Sequence, residues 1–295
     1  MQKEDGGFYR DAIANYNTAI TISGLASLND PALKPAIDKA VVYLKKAQWT
    51  DGIQGSDGTV IDPQGILTGG WNYGAMGNRP QHFADLSNTS VMLDALKDSG
   101  LKSDDPAYQN ALKFITKMQN RSESNPMPWA GNDGGFVYHL KADGEILSSA
   151  GSDTIDGKTI PRSYGSMTYA GLKSMIYAGV SKEDPRVQAA WKWIGDNYTM
   201  EENPGMAAAG PDKAKAGLFY YYSVAAKALR AYGEPEVTDK TGAKHDWRAD
   251  LISHIAALQK EDGSFVGDKQ WMEDNAIIAT TLAVLAVQDA LGDLE

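Results

Sequence analysis

Cysteine is absent from the 295 residues of this chain, and long apolar runs are absent as well. The first absence excludes disulfides, thiolate metal sites and cysteine nucleophiles. The second argues against a membrane-spanning helix, which needs about 18 or more consecutive apolar residues. Basic charge is scarce too, because 28 Lys and Arg face 38 Asp and Glu, giving a net charge of −10. An acidic chain without a basic tract is a poor partner for nucleic acid.

One heptapeptide occurs near both ends of the chain. Residues 2–8 read QKEDGGF and residues 259–265 read QKEDGSF, so six of seven positions are identical. Looser copies follow Gln48 and Gln119. A repeat of this kind indicates a chain built from one recurring structural unit.

Two kinds of helix alternate between these turns. The first kind is apolar on more than one face and rich in small residues, which predicts burial. We expect five such helices, over 15–28, 88–98, 163–178, 218–232 and 274–291. The second kind is amphipathic and follows Asp-Pro in three of four cases, where Asp is a good N-cap and Pro suits the first helical position. These four start near Asp30, Asp105, Asp184 and Asp246.

This alternation predicts an all-α fold, an α/α toroid. The buried helices would form the inner ring of a barrel of helical hairpins, and the amphipathic helices the outer ring. An open helical solenoid is the alternative. We predict a single domain over 1–295, lacking an outer helix before the first repeated turn. The natural chain would then be longer. The segment 1–7 does not resemble a signal peptide. Export of the longer chain and its retention in the cell are both compatible with the sequence.

Two insertions interrupt the pattern, over 50–84 and 120–162. The second contains apolar residues on both sides of Asp143-Gly144, which predicts a β-hairpin. Loops this long in a compact domain are usually functional, and we expect both insertions to lie over one mouth of the toroid. The aspartates of the second insertion lack the spacing of an EF-hand calcium site.

The turns that begin with Gln resemble the Gln-Trp repeats of squalene–hopene cyclases, which have the α-toroid of the terpene-cyclase superfamily. Nearly the whole chain resembles the squalene-cyclase-like, prenyltransferase and squalene-oxidase repeat proteins of bacteria. Segments that carry this resemblance are GGWNYG at 69–74, DLSNTSVMLDAL at 85–96 and LFYYYS at 218–223. The resemblance implies an aromatic-lined axial pocket that binds or converts a terpenoid or polyisoprenoid by acid catalysis, in the isomerase or lyase class.

One motif of the cyclases is altered here. Their Asp-x-Asp-Asp-Thr segment supplies the acid from its central Asp, and the matching residues are Asp85, Ser87, Asn88 and Thr89. Because Ser is not a strong acid, classical squalene cyclisation is not expected. The zinc site of the protein prenyltransferases needs a Cys that this chain lacks. We therefore predict no metal and no cofactor.

The candidate site residues lie mostly near the starts of the buried helices, where free N–H groups favour polar or anionic ligands. The candidate catalytic acids are Asp85, the retained first Asp, and Glu273, which lies beside Trp271, where desolvation would raise its pKa. Helix capping is the alternative role for both. The candidate pocket residues are Trp71, Tyr73, Asn88, His139, Arg162, Tyr164, Tyr169, Tyr220, Tyr221, Trp271 and Asp274. Trp71, Tyr164, Glu273 and one of Tyr220, Tyr221 and Tyr222 are expected to converge on one cavity.

Two other classes of function stay open. A carbohydrate-active enzyme, a hydrolase or lyase, would use two carboxylates about 5–10 Å apart and aromatic faces that stack on sugars. A non-enzymatic protein-interaction module would instead expose a large apolar patch. The expected ligand is accordingly a small apolar or polyhydroxylated molecule. The sequence fixes neither the compartment nor the oligomeric state.

Overall fold

The computed structural model describes residues 1–53, 60–74 and 82–292. Within these ranges the chain is mostly helical, with nine α-helices and seven short strands. The helices are α1 (Ala14–Ser27), α2 (Lys34–Ala47), α3 (Leu86–Asp98), α4 (Pro106–Lys117), α5 (Gly165–Tyr177), α6 (Pro185–Asp196), α7 (Leu218–Tyr232), α8 (Trp247–Leu258) and α9 (Ala276–Leu291). All nine predicted helices are therefore present. The first predicted insertion, 50–84, lies in part outside the described residues.

Three of the four amphipathic helices begin directly after the Asp that the sequence predicts as their cap. The side chain of Asp105 accepts the N–H of Ala107 at 2.9 Å, and Asp184 accepts the N–H of Arg186 at the same distance. Asp246 caps α8 in the same way. Asp30 instead caps a short 3₁₀ turn, Pro31–Leu33, that leads into α2.

The chain divides into two compact units. The first comprises Met1–Met118, Tyr138–Leu147 and Tyr177–Gly179. The second comprises Gln119–Val137, Ser148–Ile176 and Val180–Glu295. The single toroidal domain predicted over 1–295 stays a prediction, as does the position of the insertions over one mouth.

In the first unit, α1 packs against both α2 and α3. Beside them lies an antiparallel sheet of β1 (Phe83–Asp85), β2 (His139–Lys141) and β3 (Ile146–Leu147). Strands β2 and β3 form the hairpin predicted around Asp143-Gly144. Asp85 pairs with His139 in the register of β1 and β2, which places this strand pair directly before α3.

In the second unit, α7 packs closely against α9, and α8 covers both. It also contains two hairpins that the sequence reading missed, β4 (Ser152–Ile155) with β5 (Lys158–Pro161), and β6 (Glu236–Thr238) with β7 (Lys244–Asp246). The first of these has an Asp-Gly turn, with φ of 52° at Asp156 and 76° at Gly157. This pair of residues is a usual signal of a hairpin turn.

The Gln side chains of the repeated turns share one hydrogen-bond pattern. Each Nε2 donates to a glycine carbonyl of its own turn. In three of the four turns it also donates to a main-chain carbonyl near the start of the next amphipathic helix. The pairs of acceptors are Gly6 and Ala36 for Gln2, Gly69 and Ala107 for Gln48, and Gly134 and Arg186 for Gln119. Gln259 donates to Gly263 at 3.0 Å. The sequence repeat is therefore a repeat of structure as well.

A second bond ties each turn to the apolar helix that follows it. A Thr hydroxyl in that helix accepts the backbone N–H of the aromatic residue at the end of the turn. The four pairs are Phe8 with Thr18, Trp71 with Thr89, Phe136 with Thr168 and Phe265 with Thr280, at 2.9–3.1 Å. Gly69 and Trp71 lie inside the predicted insertion 50–84, and they still form the bonds of this pattern.

Burial agrees with the prediction for α5 but corrects it for α9. In α5, eleven of 13 residues are buried. In α9 the buried residues are four alanines, whereas Ile277, Val284 and Leu285 are exposed. The apolar composition of a helix shows which side chains can be buried. How many of them are buried depends on the elements that pack against the helix.

Candidate functional site

Asp85 is the last residue of β1 and the N-cap of α3, and its side chain is 0% exposed. One carboxylate oxygen accepts the backbone N–H of Asn88 at 2.7 Å, and the other accepts the Asn88 side-chain amide at 2.7 Å. The capping role that the sequence suggested is therefore present. Asn88 thus bonds to both oxygens of the carboxylate.

Burial raises the pKa of Asp85 to about 7. The two bonds from Asn88 favour the ionised form and lower the pKa, but they offset the cost of desolvation only in part. A carboxyl group with this pKa exchanges its proton near neutral pH, as a general acid or base must. The chemistry expected of Asp85 is thus compatible with its surroundings.

Aromatic side chains of the first unit lie around this carboxyl group. The Tyr73 hydroxyl lies 3.4 Å from the Tyr138 hydroxyl, and the Tyr16 ring lies 5.9 Å from the Tyr73 ring. Burial raises the pKa of Tyr16 to about 12, and the charge of Asp85 contributes to this rise. Burial also raises the pKa of Tyr73, with a further contribution from Asp85. The hydroxyls of Tyr16 and Tyr73 are therefore neutral near pH 7.

His139 lies beside this group and is half-buried. Its ring stacks on Phe83 with centroids 4.3 Å apart, and burial lowers its pKa. A neutral imidazole on an aromatic face adds to the apolar wall rather than to the charge of the site.

Trp71 is fully buried and acts on Asp85 through the main chain. Its carbonyl accepts the N–H of Asp85 at 3.0 Å, and its indole N–H donates to the carbonyl of Leu44 at 2.8 Å. Ser87, two residues further along, is less buried than Asp85.

Glu273 in the second unit is also 0% exposed, but it meets the start of a helix. One of its oxygens accepts the backbone N–H of Tyr220 at 2.7 Å, and the N–H groups of Phe219 and Leu218 lower its pKa further. Burial outweighs these groups and raises the pKa to about 7. The alternative role named for Glu273, a helix terminus, is thus present, but at α7 rather than at the helix that follows it in sequence.

A strained turn places Glu273 there. Trp271 and Met272 both have left-handed backbone angles, with φ of 59° and 63°. Such angles cost energy in residues other than Gly and persist only where packing enforces them. The Trp271 ring covers Gly217 so closely that a Cβ there would lie 2.3 Å from it. Asp274, the next residue after Glu273, is exposed.

The remaining candidates of the second unit are dispersed. Tyr169 and Tyr221 are buried and meet edge to face at 5.6 Å, and the Tyr221 hydroxyl donates to the carbonyl of Thr199 at 2.7 Å. Tyr164 is buried with its hydroxyl 3.3 Å from Ser149, whereas Tyr220 is only half-buried. Arg162 pairs with Asp153 through its Nε at 2.9 Å.

Five of the sequence-predicted residues form one compact group in the first unit, called the Asp85 group below: Trp71, Tyr73, Asp85, Asn88 and His139. The other candidates belong to the second unit. The expected convergence of Trp71 with Tyr164 and Glu273 on one cavity stays a prediction.

Sequence reasoning missed three members of the Asp85 group, Tyr16, Phe83 and Tyr138. Tyr16 lies on α1, Phe83 is the first residue of β1, and Tyr138 directly precedes β2. The pairing of β1 with β2, which the sequence did not predict, brings Tyr138 towards Asp85, and the packing of α1 on α3 brings Tyr16 there.

Two further observations concern metal binding and membrane spanning. Across 1–53, 60–74 and 82–292, no three side chains of His, Asp or Glu are grouped so as to hold a metal ion. In the same part of the chain, no helix combines the length and the apolar character that crossing a membrane requires.

Comparison with solved structures identifies the type of fold. A protein from Actinoplanes superposes with a TM-score of 0.57 at 17% identity, over 98% of this chain and 70% of that one. The type II terpene cyclase MstE from Scytonema, as a variant bound to its substrate geranylgeranyl dihydroxybenzoate, gives a TM-score of 0.56 at 14% identity. That match covers 100% of this chain and 69% of MstE. A second MstE variant, without ligand, gives a TM-score of 0.55.

The chain has a terpene-cyclase-like fold. The identities of 14–17% show the fold alone. No protein-family model and no curated protein matches the sequence. The terpene-cyclase-like fold expected from the Gln-Trp turns is confirmed; the particular bacterial branch stays a prediction.

Proposed function

We propose that this protein binds a terpenoid or polyisoprenoid and converts it by acid catalysis, with Asp85 as the proton donor. The observation that carries the proposal is a fully buried carboxyl group, with a pKa raised to about 7, among aromatic side chains. Aromatic faces attract cations, so Tyr16, Tyr73 and Tyr138 would stabilise positive charge that develops on a hydrocarbon. We propose the closed α-toroid as the frame of this site.

Asp85 is the better acid of the two candidates. Both carboxylates accept backbone N–H groups at a helix start, Asp85 at α3 and Glu273 at α7. The second oxygen of Asp85 also accepts the side-chain amide of Asn88, which can rotate and accept a hydrogen bond from a protonated carboxyl. Asp85 can therefore carry a proton on that oxygen and keep Asn88 as its hydrogen-bond partner.

The properties of Asp85 also favour one class of substrate. A carboxyl group with a pKa of about 7 is a weak acid, and an unactivated alkene is a very poor base. An isoprenoid that carries an oxygen, such as an epoxide or an allylic alcohol, accepts the proton at oxygen while its C–O bond breaks. The resulting cation can be captured by a neighbouring double bond. MstE acts on an oxygenated isoprenoid, geranylgeranyl dihydroxybenzoate, and we propose this general class here.

The test is product formation from a panel of polyisoprenoid hydrocarbons, alcohols and epoxides, followed by mass spectrometry. Asp85→Asn should abolish conversion while ligand binding persists, because Asn keeps the shape and can still cap α3. Asp98→Asn, the same substitution at an exposed position on the same helix, is the matched control. Equal conversion by Asp85→Asn and by the unaltered protein would disprove the role of Asp85.

A thermal-shift screen against polyisoprenoids and oligosaccharides separates the classes of function. A ligand at 100 times its dissociation constant stabilises a protein by about 2.7 kcal/mol, which is readily measured. A shift with sugars alone would favour a carbohydrate-active enzyme. Absence of any shift would favour an interaction module, for which the exposed apolar residues Ile277, Val284 and Leu285 of α9 are the supporting observation.

A further inference from the structure

A cavity of about 340 Å³ lies in the second unit, among residues 200–218 and the C-terminal half of α8. Its floor is formed by three buried apolar or aromatic side chains, Met200, Leu218 and Tyr222. Its rim carries the charged groups Glu201, Lys215 and His254. None of these residues belongs to the Asp85 group, so the cavity is separate from the proposed acid site.

The hydrogen bonds of His254 fix its charge. Its Nδ1 lies 2.8 Å from the carbonyl oxygen of Asp250, and its Nε2 lies 2.9 Å from a carboxylate oxygen of Glu201. Both neighbours can only accept hydrogen bonds, so both ring nitrogens must carry a proton. His254 is therefore a cation in this arrangement, and the pKa of its ring is raised accordingly.

Glu201 is held less firmly than its partner. Its side chain is 77% exposed, against 33% for His254. Exposed ion pairs contribute little to stability, so another acceptor can replace this carboxylate at little cost. With Glu201 turned away, His254 and Lys215 would leave two cations beside an apolar floor.

We propose that this cavity binds an anionic amphiphile. Its alkyl or aryl tail lies on Met200, Leu218 and Tyr222, and its carboxylate takes the place of the Glu201 carboxylate at Nε2 of His254. Lys215 adds a second positive charge to the rim. Glu201 then acts as an internal competitor that occupies the anion position when no ligand is present. The volume is within the range of small-molecule sites.

The test compares decanoate with decanol by isothermal titration calorimetry. Both probes have the same tail, and only decanoate can pair with His254. We expect one saturable site and an affinity about tenfold higher for decanoate, because hydrogen bonds to charged groups are the stronger ones. Equal affinities, or no saturable binding of decanoate, would overturn the proposal.

Three variants test the parts of the site. Glu201→Gln removes the competing charge from an exposed position, so it should fold normally and bind decanoate several-fold more tightly. His254→Gln should reduce the affinity for decanoate to that for decanol. Ala257→Trp fills part of the cavity, of which Ala257 is a lining residue, and should abolish binding of both probes.

Glu202→Gln is the matched control for the charge change. It removes a carboxylate next to Glu201 that does not line the cavity, and it should leave the affinity for decanoate unchanged. Weaker binding by Glu201→Gln, or an equal gain from Glu202→Gln, would contradict the competitor role. Because this site uses no residue of the Asp85 group, its failure and that of the proposed acid catalysis are independent.

Discussion

At the scale of single residues, Asp85 and Glu273 reach a similar pKa in different settings. Burial raises both pKa values to about 7. Both accept backbone N–H groups at a helix start, Asp85 at α3 and Glu273 at α7, and Asp85 also accepts the side-chain amide of Asn88. A raised pKa therefore does not identify an acid catalyst by itself, since a buried helix cap produces the same shift. The partners of the carboxylate make the distinction.

Asp85 should make stability fall as pH rises. Its pKa is 3.8 ordinarily and about 7 in the folded chain. Between these values the folded chain holds a proton that the unfolded chain has lost, so the free energy of unfolding declines from about pH 4 to about pH 7. Asp85→Asn does not titrate and should gain stability relative to the unaltered protein between about pH 5 and about pH 8. Urea unfolding at both pH values measures this.

Asp98→Asn serves as the control for that experiment. It should follow the pH dependence of the unaltered protein, because Asp98 is exposed. A parallel pH dependence of Asp85→Asn and the unaltered protein would show that Asp85 titrates normally. The role of Asp85 as an acid near neutral pH would then lose its basis.

Glu273 should matter for stability through α7. Glu273→Ala leaves the N–H of Tyr220 and its neighbours without an acceptor in a buried place, which should cost about 1–3 kcal/mol. Asp274→Ala, at the exposed adjacent position, should change the free energy of unfolding by less than about 0.5 kcal/mol. Chemical denaturation measures both, and equal effects would argue against the cap.

At the scale of elements, the repeated Gln turns join successive helices. Gln119 is fully buried and donates to two main-chain carbonyls, those of Gly134 and Arg186. Gln119→Ala should therefore cost about 2–4 kcal/mol, because both carbonyls lose a partner in a buried place. Gln259→Ala is the matched control, since Gln259 is exposed and should cost less than about 0.5 kcal/mol. Denaturant midpoints of the two variants decide whether the repeat stabilises the fold.

Two glycines within helices differ in the space around them, so their substitutions by Ala form a second matched pair of variants. A Cβ at Gly171 in α5 would lie 2.5 Å from the ring of Phe136, whereas one at Gly24 in α1 would meet nothing within 4 Å. Gly171→Ala should destabilise by about 1–3 kcal/mol through overpacking. Gly24→Ala should stabilise by about 0.5–1 kcal/mol, because Ala has the higher helix propensity. A shift of the thermal midpoint in the same direction for both would refute this packing argument.

At the scale of the whole molecule, a terpene-cyclase-like fold persists at 14–17% identity to its solved neighbours. Such divergence is tolerated because the fold depends on a pattern rather than on particular side chains. Apolar and amphipathic helices alternate, and a Gln and a Thr connect each repeated turn to its helices. Two proteins that share this pattern need not catalyse the same reaction, since site residues can change without disturbing the fold.

EDTA should have little effect on the stability of the part of the chain that the structure describes. Among residues 1–53, 60–74 and 82–292, no cluster of His, Asp and Glu is arranged as a metal site. Where a structural metal is present, its removal destabilises the fold. We expect EDTA to change the thermal midpoint by less than about 1 °C. A fall of several degrees, reversed by added calcium or zinc, would show a metal site that both the sequence and the geometry failed to predict.

The sequence alone predicts the nine helices of the described residues and the β2–β3 hairpin. Helix positions follow from hydrophobic periodicity and Asp-Pro starts, and the β2–β3 hairpin follows from Asp143-Gly144, because these signals act over a few neighbouring residues. The hairpin at Asp156-Gly157 carried the same local signal, and the sequence reading missed it. Five of the eight members of the Asp85 group were predicted, and two of these, Asp85 and Asn88, lie in one motif.

Which residues meet, and how deeply each is buried, depends on tertiary packing. It brought Tyr16 and Tyr138 to Asp85, placed Glu273 under α7, and left one face of the apolar helix α9 exposed. These outcomes depend on contacts between residues far apart in the chain. The pKa of a carboxyl group depends on them as well, because it is set by the water and the hydrogen-bond partners that remain after folding.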